Sequence, residues 1–155
     1  MSEHRATIRW AHAGGDFLKG MYSREHIWTF DGGATVPASP SPSVVPRPYS
    51  NEASVDPEEA FVASIASCHM LTFLYVAAKA GVQIERYEDE AVGTMTKNAH
   101  GVPWVSAVVL RPRITYGGTT PPAEPDEDLL HHAAHAQCFI ANSVKTAITV
   151  QKPHR

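Results

Sequence analysis

Thr7-Ile8-Arg9-Trp10 alternates polar and apolar positions, the two-residue period of a half-exposed strand, and Ala13-Gly14-Gly15-Asp16 follows as a turn. Glu25 to Phe30 alternates again, with Ile27 and Trp28 as strand formers. Asp31-Gly32-Gly33 is a hairpin signal, and Ala34-Thr35-Val36 returns as a third strand. The chain is therefore expected to open as an antiparallel meander. Residues 37–50 hold Pro37, Pro40, Pro42, Pro46 and Pro48. Proline removes backbone donors, so neither a helix nor a central strand can run through them. The pattern predicts an extended loop lying over the body or reaching to a partner chain.

Asp56-Pro57-Glu58-Glu59 has the features of a helix start: a capping Asp, a proline at the first helical position and an acid three residues on. The helix is expected to run to about Ala80, with Gly81 as its C-terminal cap. Because it is apolar nearly all round, it reads as the central core helix. Val82 to Gly93 and Trp104 to Tyr116 read as two strands, the second with Pro112 near its end. A second helix is expected from about Pro125 towards Ala141, broken near Cys138, with a last strand over Thr146 to Val150. The order β-β-β-α-β-β-α-β is an α+β arrangement, and 155 residues suit one domain.

Composition narrows the function classes. Apolar residues make up 43% and charged residues 19%, which is globular. Thirteen basic against sixteen acidic residues, with no block of like charge, argue against a nucleic-acid surface. The apolar run near residues 60–78 is interrupted by Ser64, Ser67, Cys68, His69 and Thr72, as in a buried helix rather than a membrane span. No hydrophobic signal region precedes Trp10, so the cytoplasm is the expected compartment.

There, two cysteines read as reactive or buried thiols rather than as a structural staple. Cys68 lies inside the core helix, and Ser64, Cys68 and Thr72 share one face. Cys138 lies on the second helical segment. Two readings stand side by side. Each Cys can pack as a small hydrophobe. Alternatively they form a dithiol, in which one thiolate attacks a peroxide and the resulting sulfenic acid condenses with the other thiol. Cys68 is too far into its helix for the dipole to lower its pKa much, so the second reading calls for an arginine.

The run from Val55-Asp56-Pro57-Glu58-Glu59 to Ala66-Ser67-Cys68-His69-Met70 closely resembles the first-cysteine motif of the OsmC/Ohr family. Gln137-Cys138-Phe139-Ile140-Ala141-Asn142-Ser143-Val144-Lys145 resembles its second-cysteine motif, and the element order is similar over nearly the whole chain. The resemblance implies antiparallel sheets wrapped around two central helices, an intertwined homodimer with sites at the subunit interface, and a thiol-dependent peroxidase acting on organic hydroperoxides without a cofactor. By the same resemblance Cys68 matches the peroxidatic cysteine and Cys138 the resolving one. Glu58 matches the glutamate that holds an arginine against the thiolate. Arg24 is the candidate for that arginine, with Arg47 as the alternative. The external reductant would be a dithiol, such as a lipoyl group on a carrier protein. Glu58 and Cys68 are ten residues apart, roughly 15 Å along a straight helix at about 1.5 Å per residue. Either the helix bends, or Glu58 and its arginine approach the Cys68 of the other chain.

Phe61, Met70, Phe73 and Phe139 are candidates to line an apolar substrate pocket, against a plain reading as core. His132, His135 and Cys138, with His69, suggest a rival zinc site, but the first and last of the three point apart around a helix. His69 is no base for Cys68, since helix neighbours point about 100° apart. Glu85, Glu88, Asp89 and Glu90 fit a solvated strand edge, and Gly14-Gly15 and Gly32-Gly33 lack the context of a phosphate loop. A second function class remains: a non-enzymatic protein that binds a hydrophobic ligand and carries inert cysteines.

Overall fold

The alternation at the head of the chain forms a three-stranded antiparallel sheet of β1 (Ala6–Arg9), β2 (His26–Phe30) and β3 (Thr35–Ala38), in the order β1-β2-β3. Ile8 stands opposite Trp28, and Trp28 opposite Val36. The computed structural model describes residues 1–118 and 120–152. Its contacts divide the chain into two units, Met1–Ala60 and Phe61–Arg155.

In the first unit β3 runs one residue past Pro37, where the sequence predicts a loop. The proline is tolerated because β3 pairs as a strand with β2 and beyond it meets Val55 in an isolated bridge at Ala38, where the Pro37 carbonyl still accepts the Val55 N–H at 3.1 Å. The proline-rich segment that follows is stitched to itself. Ser39 is buried and its hydroxyl accepts the Asn51 N–H at 2.8 Å, while Ser50 Oγ donates to the Val45 carbonyl at 2.6 Å.

The helix α1 (Pro57–Lys79) starts with the reciprocal cap its sequence encodes. Asp56 Oδ1 accepts the Glu59 N–H at 2.7 Å, and Glu59 Oε2 accepts the Asp56 N–H at 3.0 Å. It ends where Gly81 adopts φ +74°, a left-handed turn closed by the Val82 N–H on the Ala77 carbonyl.

The second unit corrects the expected strand count. Each of the two long runs is divided, giving β4 (Ile84–Asp89) and β5 (Val92–Lys97), then β6 (Pro103–Leu110) and β7 (Pro112–Tyr116). β4 pairs with β7 and β5 with β6, so one long hairpin is broken into two ladders. The break falls where Asp89 faces Pro112 and Val92 faces Val109. Pro112 brings no donor, and the Arg111 N–H turns instead to Asp89 Oδ1 at 2.7 Å. After α2 (Glu124–Gln137) and a 3₁₀ turn (Ala141–Ser143), β8 (Ala147–Val150) joins β6 in parallel. The β5-β6-β8 sheet is thus mixed while the other two are antiparallel, because a helical crossover lets a strand return in the same direction.

Two apolar clusters hold this unit. Ile65 packs with Val108 and Leu110, joined by Phe61, Val62 and Ile148. Phe73, Val76 and Ala77 pack with Leu130 and Ala134 of α2, joined by Ile84, Tyr87 and Ile114. Phe73 is fully buried, so it has no face to offer a substrate, and the pocket expected of it is corrected to core. Phe73→Ala is expected to cost about 3–5 kcal/mol of unfolding free energy in urea, the usual penalty for emptying an aromatic site in a close-packed core.

Candidate active site

Burial on α1 falls on Ile65, His69, Phe73, Val76 and Ala77, a stripe with helical spacing. Cys68 sits at the edge of that stripe and is half-buried. On α2 the buried positions are Glu127, Leu130, His131 and Ala134, and Cys138 continues them four residues on. Cys138 is the residue that ends α2, with extended backbone at φ −69° and ψ 118°, and it is fully buried.

The segment after α2 is built to hold that cysteine. Asn142 Nδ2 donates to the carbonyls of Ala136 (3.0 Å) and Cys138 (2.9 Å), and Ser143 Oγ donates to the Phe139 carbonyl at 2.7 Å. This tight turn leaves two consecutive amides aimed at sulfur. The Ile140 N–H approaches Cys68 Sγ at 3.5 Å, and the Ala141 N–H approaches Cys138 Sγ at 3.4 Å. Thr72 Oγ1 and Ser64 Oγ donate back to helix carbonyls, so the polar stripe around Cys68 is satisfied locally.

Burial pushes the Cys138 thiol up, and its hydrogen bond with Cys68 pushes further in the same direction, partly offset by the Ala141 and Ile140 amides. The two cysteines are free thiols.

A second buried pair was not legible in the sequence. His69 Nε2 lies 3.1 Å from His131 Nδ1, with the rings stacked at 10° and centroids 5.4 Å apart. His69 is 2% exposed and His131 5% exposed. Burial lowers both to about 4. For His69 the neighbouring His131 and His135 add to the effect; for His131 Lys152 and His132 lower it and Asp128 opposes. His131 also borders an outer cleft of about 360 Å³ with Asp128, His132, His135 and Lys152. Among the described residues no three His, Cys, Asp or Glu side chains converge to hold a metal ion, so the zinc arrangement weighed for His132, His135 and Cys138 is not formed.

The remaining candidates fall in both units. Within the unit Met1–Ala60, the Arg24 guanidinium donates to the carbonyls of Gly20 (3.2 Å) and Tyr22 (2.9 Å) and lies 4.1 Å from the Tyr22 ring centroid. Among the described residues no acid is paired with it. Arg47 is taken by Glu52 at 2.9 Å on the surface. Glu58 is half-buried in the first turn of α1. In the second unit Phe61 packs against the Ile65 cluster, Met70 is half-buried and Phe139 is 84% exposed.

The histidine pair makes a pH prediction. Both imidazoles are neutral in the folded chain down to about pH 4, whereas unfolded they take a proton near 6.5. The unfolded state therefore binds more protons below pH 6.5, and stability falls as the pH drops from 6.5 towards 4, then levels. Each titrating histidine contributes at most about 1.4 kcal/mol per pH unit. Urea midpoints measured across this range should fall for the parent chain, and fall less steeply for His131→Phe, which keeps a ring in the stack.

The comparisons with known proteins agree with this architecture. The family model described as OsmC-like protein matches residues 50–152. An OsmC-like protein of unknown function from Vibrio cholerae O1 biovar eltor is 49% identical, with 99% of this chain and 100% of that one covered and a TM-score of 0.94. An organic hydroperoxide resistance protein OsmC from Legionella pneumophila is 16% identical, at 98% and 96% coverage and a TM-score of 0.70. The organic hydroperoxide resistance protein OhrB of Bacillus subtilis is 18% identical, at 98% and 98% coverage and a TM-score of 0.65. Comparison with curated proteins found no significant match. With a family model spanning most of its length and that 49% identity over the whole chain, this protein belongs to the OsmC-like family.

Proposed function

We propose that the chain is a thiol peroxidase that reduces organic hydroperoxides to alcohols through Cys68 and Cys138. The observation that carries this reading is the asymmetry of the sulfur pair: two consecutive amides hold both sulfurs, yet Cys68 is half-buried while Cys138 is fully buried. A peroxide reaches only the first thiol, and the second waits in contact.

The Cys68 thiolate attacks the terminal peroxide oxygen and the O–O bond breaks. Sulfur is oxidised to sulfenic acid, and the departing alkoxide takes a proton to become the alcohol. Cys138 then attacks the oxidised Sγ of Cys68. An S–S bond forms, and the sulfenyl oxygen leaves as water with the Cys138 proton. An external dithiol, such as a lipoyl group, regenerates both thiols by exchange, as a reducing cytoplasm would favour.

Arg24 is proposed as the cation that stabilises the Cys68 thiolate, with Glu58 orienting it. Its support is negative and positive at once: Arg47 is occupied by Glu52, whereas Arg24 has no acidic partner among the described residues. The reading also includes a homodimer. α1 is long and apolar enough to cross a membrane by length and composition, yet only 28% of its most apolar stretch is buried, and Leu71 and Tyr75 stand exposed. A second copy of the chain is the proposed cover.

The rival, a hydrophobic-ligand carrier with inert thiols, makes opposite predictions. Reduced protein given one equivalent of cumene hydroperoxide should lose both thiols within seconds, and mass spectrometry should find a Cys68–Cys138 link. Cys138→Ser should stop at a sulfenic acid that dimedone traps. Arg24→Ala should slow Cys68 oxidation about 100-fold or more, the scale of losing a charge-stabilising donor, while Arg47→Ala leaves it near the parent rate. Two thiols unchanged after minutes would reject the peroxidase.

A further inference from the structure

The turn after α2 replaces a backbone bond with a side-chain bond. In a helix that continued past Gln137, the Ala136 carbonyl would accept the Ile140 N–H. Here Asn142 Nδ2 takes that carbonyl at 3.0 Å, and the Ile140 N–H turns to Cys68 Sγ at 3.5 Å. The same Nδ2 donates to the Cys138 carbonyl at 2.9 Å, and the Asn142 backbone N–H donates to that carbonyl at 3.1 Å. One residue thus clamps Cys138 twice and ties it to the last turn of α2. The Ser143 N–H on the Ile140 carbonyl, at 2.9 Å, closes the 3₁₀ turn Ala141–Ser143.

Asparagine suits this place because its amide nitrogen carries two donors, and the carbonyls it meets only accept. An aspartate of the same shape would bring acceptors alone. Asn142 is exposed, so its loss opens no cavity in the core. What it governs is local: where the Ile140 and Ala141 amides point, and how far Cys138 drifts from Cys68.

We infer that Asn142 is a positioning residue for disulfide closure: it stands in for the Ile140 N–H at the end of α2, freeing that amide for Cys68 and fixing Cys138 beside it. This role rests on the peroxidase reading and belongs to its second step. There the Cys138 sulfur, having lost its proton, attacks the oxidised Sγ of Cys68. The S–S bond forms, the S–O bond breaks, and the oxygen leaves as water with that proton. Held groups react faster than drifting ones, so a slack turn slows this step. Burial and then the hydrogen bond with Cys68 push the Cys138 thiol up, and the Ala141 and Ile140 amides oppose them. A slack turn loses that opposition and keeps Cys138 protonated to higher pH. The first step is spared, because Cys68 is held by α1 and not by the turn.

The test follows the full-length reduced chain after one equivalent of cumene hydroperoxide. Samples quenched at intervals are read by mass spectrometry as thiol, dimedone-trapped sulfenic acid and disulfide. In Asn142→Ala and Asn142→Asp, loss of the Cys68 thiol should stay within about threefold of the parent, while closure slows about tenfold or more and trapped Cys68 accumulates. The pH at which closure reaches half its maximal rate should rise in Asn142→Ala. Circular dichroism of both variants should match the parent. Closure at the parent rate in either variant would overturn the inference and leave the peroxidase reading intact. So would an equal slowing of both steps, the mark of a purely structural role, or a pH midpoint that stays at the parent value. A parent chain that keeps both thiols rejects the reading and this role together.

Discussion

The second unit depends on one constraint: α1 is apolar on nearly every side and no single layer can cover it. The chain answers with two different covers. Phe61, Val62 and Ile65 pack on the sheet of β5, β6 and β8, whereas Phe73, Val76 and Ala77 pack on α2 and the β4–β7 ladder. Cys68 and His69 fall at the changeover. A side chain placed there meets the end of α2 rather than the flank of a sheet. That is why the buried His69–His131 pair lies beside Cys68.

The depth of the two sulfurs follows from helical periodicity. On α1 the buried stripe passes through Ile65, His69 and Phe73, so Cys68 is one step off its line and keeps part of its surface. On α2 the stripe passes through His131 and Ala134, and Cys138 is the next position in line. The helix stops at Gln137, so the amides of Ile140 and Ala141 are released from helical bonding and turn to the sulfurs. An α2 one turn longer would keep those N–H groups for its own carbonyls.

Much of this was legible in the sequence, for identifiable reasons. The meander, the capping box at Asp56 and Glu59, the glycine stop at Gly81 and the break near Cys138 are local signals, and local bonds realise each of them. What escaped was long-range. The runs Val82–Gly93 and Trp104–Tyr116 have strand character throughout, and only their mutual register shows that Pro112 splits the ladder. His131 carried no motif, because its partner His69 is 62 positions away. Phe73 looked as suitable for a pocket as Phe61 or Met70, and only the packing of α2 over it removes it from that set. Backbone donors such as those of Ile140 and Ala141 have no sequence signature at all.

Three buried polar groups beside the two cysteine-bearing helices share one property: they are neutral at pH 7. Burial holds His69 and His131 uncharged, and Cys138 keeps its proton. Lys152, a cation that acts on His131, is matched by Asp128 at 2.5 Å. Among the described residues the hydrogen-bond donors on the two sulfurs are dipoles, the Ile140 and Ala141 amides. Dipoles orient a sulfur, but their field falls off faster than that of a full charge, and a thiolate is an ion. Among the described residues no charged side chain hydrogen-bonds either sulfur. A charge buried permanently beside the pair would have to be stabilised whatever the state of the sulfurs, and a lining of dipoles avoids that cost.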